Sequence, residues 1–121
     1  MAEKKKIGIL GASGYTGAEL VRLLLGHPRV EIALLTADRK AGRTMAEVFP
    51  QFIGADLPDL VALDDVDWRK AGLDLVFCAL PHGTTQLVIK ALLAAAPRTR
   101  VVDLSADFRL HDLDAYAYWY G

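Results

Sequence analysis

Short apolar runs alternate with stretches of helical spacing along the first third of the chain. Residues 7–10 form an apolar run that follows three lysines and stops at a glycine, which is typical of a buried parallel strand. From Tyr15 to Leu25, apolar residues such as Ala18 and Val21 recur at helical spacing. The aliphatic residues 30–36 predict a second strand. The order of elements is therefore strand, helix, strand.

The same alternation continues after a less regular segment. Residues 44–68 keep no sustained period, and we expect there only a short strand near residues 60–63. Residues 73–80 are the most strand-like run, and residues 101–104 predict the next strand.

A helix is expected between these last two strands. Thr84 or Thr85 can cap it and Pro97 ends it. One side is predicted to carry its apolar residues, namely Leu87, Val88, Ala91, Leu92 and Ala95. The aromatic residues 116–120 predict a last piece of helix.

Alternating strands and helices define the fold class as α/β, a Rossmann-like parallel sheet with helices on both faces. Ligands of such folds bind at the carboxyl ends of the strands. The loops to search for a site are therefore residues 11–17, 36–43, 81–85 and 105–109.

Composition narrows the class of protein. The chain has 121 residues, 53% of them hydrophobic, and a formal net charge of −1, so we expect one domain over residues 1–121 and no electrostatic binding to nucleic acid or a membrane. A lone cysteine, Cys78, can form neither an internal disulfide nor a thiolate-rich metal site, and no metal site is expected. No apolar run is long enough to cross a membrane, and nothing at the start resembles a signal peptide. We expect a cytoplasmic protein.

The loop GASGYTG at residues 11–17 combines three glycines with a strand before it and a helix after it. Gly11 permits a tight turn, Gly14 lets the backbone approach a pyrophosphate, and Gly17 allows close contact between helix and strand. The N–H groups of Tyr15 and the residues beside it would face the anion at the positive end of the helix. The hydroxyls of Ser13 and Thr16 would add donors. The motif lacks the Lys-Ser/Thr pair of a nucleotide triphosphatase loop and indicates dinucleotide binding.

The loop after the second strand bears on which dinucleotide binds. Asp38 could accept a ribose 2′-hydroxyl. Thr36 at the end of the strand and three cations in the loop instead favour a 2′-phosphate and hence NADP; these cations are Arg39, Lys40 and Arg43. Arg39 is the strongest candidate, because a guanidinium can pair with phosphate and stack on adenine. The alternative is that these cations are only a solvated surface.

Two further residues invite a catalytic interpretation. His82 stands alone in a Pro-His-Gly turn, and an isolated histidine is more often structural than a proton donor. Cys78 lies inside an apolar run, where burial would raise the pKa of its thiol, so we expect it to pack rather than react.

Three segments together resemble the N-acetyl-γ-glutamyl-phosphate reductase family: GASGYTGAEL at residues 11–20, ALPHG at 79–83 and VDLSADFR at 102–109. The resemblance extends from about residue 6 to the WYG ending at residues 119–121. It implies an NADPH-dependent reduction of an acyl phosphate to an aldehyde in arginine biosynthesis. In this family a cysteine attacks the acyl phosphate, phosphate leaves, and the cofactor reduces the resulting thioester.

The resemblance also implies roles for particular residues. Pro81, His82 and Gly83 would line the nicotinamide half of the cofactor site, Ser105 would border the active site, and Arg109 would hold the acyl phosphate or form a structural ion pair. The family's catalytic cysteine and histidine have no counterpart here. The chain is therefore expected to be an incomplete, cofactor-binding part that is inactive alone and belongs to an enzyme expected to form a homo-oligomer. Two alternatives stay open, a reductase of aminoadipyl phosphate in lysine biosynthesis and a non-catalytic dinucleotide-binding module.

Overall fold

The computed structural model describes residues 4–80 and 84–104, which form a five-stranded parallel sheet. The strands are β1 (Lys5–Leu10), β2 (Val30–Ala37), β3 (Leu60–Ala62), β4 (Leu75–Cys78) and β5 (Arg100–Asp103). The helices are α1 (Tyr15–Leu25), α2 (Met45–Val48), α3 (Trp68–Ala71) and α4 (Thr85–Ala95), with 3-10 turns at Pro50–Phe52 and Leu63–Asp65. The order across the sheet is β3-β2-β1-β4-β5, and every pair of neighbours is parallel.

Alternate residues of β1 point to opposite faces of the sheet, and a helix covers each face. Ile7 and Ile9 pack with the buried side of α1, where Val21 is fully buried. Leu10 points to the other face and packs in the cluster that contains Leu92 of α4. Helices on both faces of a parallel sheet are thus confirmed.

The predicted α4 face is wrong at two positions. Leu87 is 73% exposed and Ala91 is exposed, whereas Thr85 and Leu92 are buried. This helix is apolar around most of its circumference, so periodicity did not single out the side that contacts the sheet. The side of α4 that packs against the sheet is the side that contains Leu92.

The segment without a sustained period contains short elements in addition to the predicted strand. β3 at Leu60–Ala62 confirms that strand. Helix α2 was missed, although Thr44 and Glu47 form a capping box that their spacing could have signalled. Helix α3 was also missed; Asp67 caps it by accepting a hydrogen bond from the Arg69 N–H at 3.1 Å.

The other strand boundaries differ from prediction by a few residues. β4 covers Leu75–Cys78 within the predicted run 73–80, and β5 begins and ends one residue early. The helix predicted at residues 116–120 lies outside the described residues. Within residues 4–80 and 84–104, no helix has the length and apolarity that a membrane crossing requires.

Candidate functional site

The carboxyl ends of β1, β2 and β4 meet at one edge of the sheet and surround a cleft of about 500 Å³. Its lining comes from the glycine loop, the end of β2, the turn after β3, the end of β4 and the start of α4. The described lining residues are Gly11, Ser13, Gly14, Thr36, Ala37, Asp38, Ala62, Leu63, Asp64, Ala79, Leu80 and Thr84. The cleft thus lies where ligands bind in doubly wound sheets.

Gly11 starts the turn that leads from β1 into the cleft. Its φ is +80°, which L side chains rarely adopt, and an added Cβ would lie 2.5 Å from the carbonyl oxygen of Ala79. Glycine is required here by the fold itself. The predicted role of Gly11 in a tight turn is consistent with this geometry.

Gly17 has a different internal reason to be glycine. An added Cβ would lie 2.5 Å from the Gly11 oxygen and 2.7 Å from the Cα of Ala12. Both contacts are with backbone, which cannot swing away as a side chain would. The first turn of α1 therefore packs directly on the two loop residues that follow β1, whereas the sequence predicted contact with the strand itself.

Gly14 has no comparable internal constraint. Its φ is −89°, and an added Cβ would meet only the Gly11 oxygen at 3.6 Å, an ordinary contact distance. The residue is exposed at the cleft and forms the N-cap of α1. An added Cβ at this position would therefore not clash with the protein, and Gly14 itself lines the cleft.

Helix α1 begins without a side-chain cap, unlike α2 and α3. Within the described part of the chain, no hydrogen bond takes up the N–H groups of Ser13, Tyr15, Thr16 or Gly17. The Thr84 side chain likewise gives α4 no capping hydrogen bond. Among the described residues, the N-cap residues of α1 and α4 thus give their helices no side-chain cap, and both helices begin at the edge of the sheet where the cleft lies. A helix N-terminus carries a partial positive charge.

The side chain of Tyr15 is 89% exposed, and its ring lies 6.5 Å from that of Phe49 between centroids. Tyr15, Thr16 and Gly17 do not belong to the lining of the cleft. Of the four residues after Gly11 with free N–H groups, only Ser13 lines it directly. The contribution of the other three to binding stays a prediction.

Thr36 ties the glycine loop to β2. Its side chain is 1% exposed, and its Oγ1 accepts a hydrogen bond from the Gly11 N–H at 3.1 Å. Its carbonyl oxygen accepts a second one from the Ala12 N–H at 2.8 Å. Thr36 therefore lies at the predicted place, but with its oxygens facing the loop.

Arg39 and Lys40 are exposed on the loop after β2 and do not line the described cleft. Two carboxylates do, Asp38 and Asp64. Asp64 was not singled out from the sequence. The available signal was its position two residues after the end of β3, because the carboxyl ends of parallel strands share one edge.

Cys78 is fully buried at the end of β4, directly before the cleft-lining residue Ala79. Burial, and secondarily the charge of Asp103, raise the pKa of its thiol to about 12, although the Leu80 backbone and the Thr85 side chain lower it in part. A thiol with this pKa is protonated near neutral pH, so the prediction that Cys78 packs is confirmed. Pro81, His82, Gly83, Ser105 and Arg109 lie outside the described residues.

A parallel sheet of this order, with a glycine turn and an uncapped helix at its carboxyl edge, defines a dinucleotide-binding α/β domain. Residues 6–119 match the family described as semialdehyde dehydrogenase, NAD binding domain. The chain belongs to this family.

Curated relatives and solved structures agree with this assignment. The chain is 75% identical over its whole length to N-acetyl-gamma-glutamyl-phosphate reductase of Afipia carboxidovorans, covering 34% of that protein. It is 56% identical over 98% of its length to a rice protein named as a probable chloroplastic N-acetyl-gamma-glutamyl-phosphate reductase, covering 28% of it. The structure of Candida albicans aspartate semialdehyde dehydrogenase with NADP superposes with a TM-score of 0.70 at 26% identity, over 90% of this chain and 32% of that one. The chain thus spans about a third of the length of these proteins, and the resemblance found in its motifs is confirmed.

Proposed function

We propose that the chain is the NADP-binding part of an enzyme that reduces N-acetyl-γ-glutamyl phosphate to N-acetylglutamate 5-semialdehyde and phosphate with NADPH. The support for the reaction is the identity to reductases of that name over the full length of the chain. The support for the cofactor is the geometry of the cleft and the likeness to a semialdehyde dehydrogenase solved with NADP. The reaction belongs to a longer protein of which this chain matches about a third.

The observation that carries the cofactor proposal is the contrast between Gly14 and the other two glycines of the loop. Gly11 and Gly17 are glycines because backbone atoms of the protein lie within 2.5 Å of an added Cβ. Gly14 has no such neighbour, yet it stands at the cleft beside uncapped N–H groups. A pyrophosphate that approaches the backbone closely would explain why a side chain is absent there. The N–H groups at the start of α1 are hydrogen-bond donors, which suit the oxygen atoms of a pyrophosphate.

Different residues along this edge of the sheet would bind different parts of the cofactor. The N–H groups and hydroxyls of Ser13, Tyr15, Thr16 and Gly17 would hold the pyrophosphate. Arg39 and Lys40 would reach the 2′-phosphate from the loop after β2, with their charge offsetting that of Asp38 and Asp64. The segment Pro81 to Gly83 would line the nicotinamide half, and Ser105 would border the active site. Arg109 would hold the acyl phosphate of the small-molecule substrate or form a structural ion pair.

When bound, NADPH supplies the hydride for this class of reaction. The described residues of this chain bind and orient; Cys78, their only thiol, is buried and protonated. Cys78 is therefore unsuited to be the cysteine nucleophile that the family resemblance implies. We propose that another part of the enzyme supplies this nucleophile and that the 121-residue chain alone reduces no acyl phosphate. We further propose that the enzyme is a homo-oligomer and cytoplasmic, although plant relatives are named as chloroplastic.

The cofactor proposal is tested by titrating the parent chain and the Gly14→Val variant with NADPH and measuring binding from the fluorescence of the NADPH. We expect the variant to lose measurable binding while its circular dichroism spectrum stays that of the parent, because Gly14 lines the cleft and an added Cβ there meets no packed part of the protein. Gly26→Val is the matched control. Gly26 ends the same helix with a φ of −85°, and nothing lies within 4 Å of an added Cβ.

Parental affinity in Gly14→Val would show that the pyrophosphate lies elsewhere. Loss of binding in Gly26→Val as well would show that helix α1 as a whole, and not the approach at Gly14, is being disturbed. A parent chain that binds no NADPH would remove the cofactor proposal itself.

A further inference from the structure

We propose that Thr36 is a positioning residue for the cofactor site: its hydroxyl holds the glycine loop in the shape that binds the pyrophosphate, without contacting the 2′-phosphate. This inference rests on the proposed function, since it assigns a role within the same site. The sequence placed Thr36 among the residues that contact the cofactor and favour a 2′-phosphate. The structure assigns it a different task.

Thr36 accepts hydrogen bonds from two consecutive N–H groups of the loop. The Gly11 N–H donates to its Oγ1 at 3.1 Å, and the Ala12 N–H donates to its carbonyl oxygen at 2.8 Å. These are the first two residues after β1, at the point where the chain leaves the sheet. One residue of β2 thus fixes the direction in which the loop departs.

The carbonyl contact is available to any residue at this position, but the hydroxyl contact is not. Gly11 is the first residue past β1, and its N–H donates to the side-chain oxygen of Thr36 rather than to a backbone oxygen. Without the hydroxyl, this partly buried N–H would have no acceptor among the contacts of the described structure. A buried donor without an acceptor is unfavourable, and the loop would shift to satisfy it.

Gly14 would move with any such shift, because the loop is short and internally linked. The Gly14 N–H donates to the Gly11 oxygen at 3.2 Å, and the Gly14 oxygen accepts from Ala18 in the first turn of α1 at 2.9 Å. Anion sites of this kind depend on several N–H groups converging, so a small displacement weakens all of these contacts together.

Direct contact between Thr36 and a 2′-phosphate fits the geometry less well. The residue is 1% exposed, so little of its surface is open to a ligand, and its Oγ1 faces the Gly11 N–H of the loop. Arg39 and Lys40 on the following loop are exposed and carry the charge that a phosphate requires. The two roles predict different cofactor selectivity, which makes them separable.

The test is a titration of parent, Thr36→Val and Thr36→Ser with NADPH and with NADH. Valine keeps the branched shape and removes the oxygen, so we expect affinity for both cofactors to fall by about 5- to 50-fold with their ratio unchanged. Serine keeps the oxygen and should restore binding to within about 3-fold of the parent. Arg39→Ala is the comparison: a charge-assisted contact predicts a loss of about 10- to 150-fold for NADPH and little change for NADH.

Several outcomes would overturn the inference. A loss confined to NADPH in Thr36→Val would make Thr36 a direct ligand of the 2′-phosphate. Unchanged binding, or a loss that serine does not restore, would leave no role for the hydroxyl. A parent that binds neither cofactor would remove the proposed function and this inference together, a result distinct from the others.

Amide hydrogen exchange of Gly11 gives a readout that requires no cofactor. We expect its amide to be protected in the parent and in Thr36→Ser, and to exchange faster in Thr36→Val than the neighbouring amides of β1. The parent and the serine variant must both show protection of the Gly11 amide. This part of the comparison tests the inference even if valine weakens folding. An unprotected Gly11 amide in the parent would overturn the inference.

Discussion

Cys78 shows how its surroundings remove the reactivity of a cysteine. It lies in β4 between Phe77 and Ala79, fully buried in the cluster that contains Val76 and Leu92. The pKa of about 12 follows mainly from burial, because a thiolate would lose its hydration there. The sequence allowed this prediction because apolar residues flank the cysteine on both sides.

The raised pKa of Cys78 predicts a loss of stability at alkaline pH. The folded state holds the thiol proton up to about pH 12, whereas the unfolded chain releases it near its ordinary pKa of 9.0. The stabilisation is thus fully present below pH 9 and falls as the pH rises toward 12, by at most about 1.4 kcal/mol per pH unit. Urea unfolding at about pH 8 and about pH 10.5 measures it.

Cys78→Ala is the control for this measurement, because it retains every other group that titrates in the range. Its free energy of unfolding should fall less between the two pH values than that of the parent. Equal decreases in the two proteins would contradict the assignment of a raised pKa to Cys78.

The residues of the site were predictable to the extent that a local motif encodes them. Gly11, Gly14 and Gly17 each follow from their spacing between a strand and a helix. Asp64 joins the cleft only because β3 lies beside β2, a relation that neighbouring residues in the sequence do not reveal. The acceptor role of Thr36 likewise requires β1 and β2 to be paired.

Among the elements, the contact between the glycine loop and α1 controls how closely the helix lies against β1. Gly17→Ala places a methyl group 2.5 Å from the Gly11 oxygen and 2.7 Å from the Ala12 Cα. We expect the free energy of unfolding to fall by about 1–3 kcal/mol, since the backbone must move and the better helix propensity of alanine offsets only part of the cost. Denaturant unfolding measures the change.

Gly14→Ala provides the matched control at the element scale, because its new methyl group meets only one atom, at 3.6 Å. The two variants add the same atoms three residues apart. Similar stability for both would show that α1 can relax away from the loop, and that close packing does not explain the glycine at residue 17.

The spacing of apolar residues was sufficient to predict helix α1 but not the buried face of helix α4. Helix α1 has the predicted bounds, because Glu19 and Arg22 mark its exposed side and form an ion pair there at 2.7 Å. Helix α4 has few polar residues to mark its exposed side, and its buried face was predicted incorrectly at Leu87 and Ala91. Short helices α2 and α3 are defined by their caps rather than by a period.

At the scale of the whole molecule, the sheet order brings separate parts of the chain to one edge. The glycine loop, the end of β2, the turn after β3 and the start of α4 meet around the cleft, although they span residues 11 to 84. The alternation of strands and helices predicted this edge, because parallel strands connected by right-handed crossovers all end on the same side.

The central claim, that this edge binds NADPH, is tested most directly by recording backbone amide chemical shifts of the chain during an NADPH titration. We expect saturable shifts in the glycine loop, at the end of β2, at Asp64 and at Thr84, where the described residues line the cleft. The amino ends of the strands, represented by Lys5, Val30 and Arg100, should remain unchanged because they lie at the opposite edge. Shifts centred on that opposite edge, or no saturable shifts at all, would contradict the account.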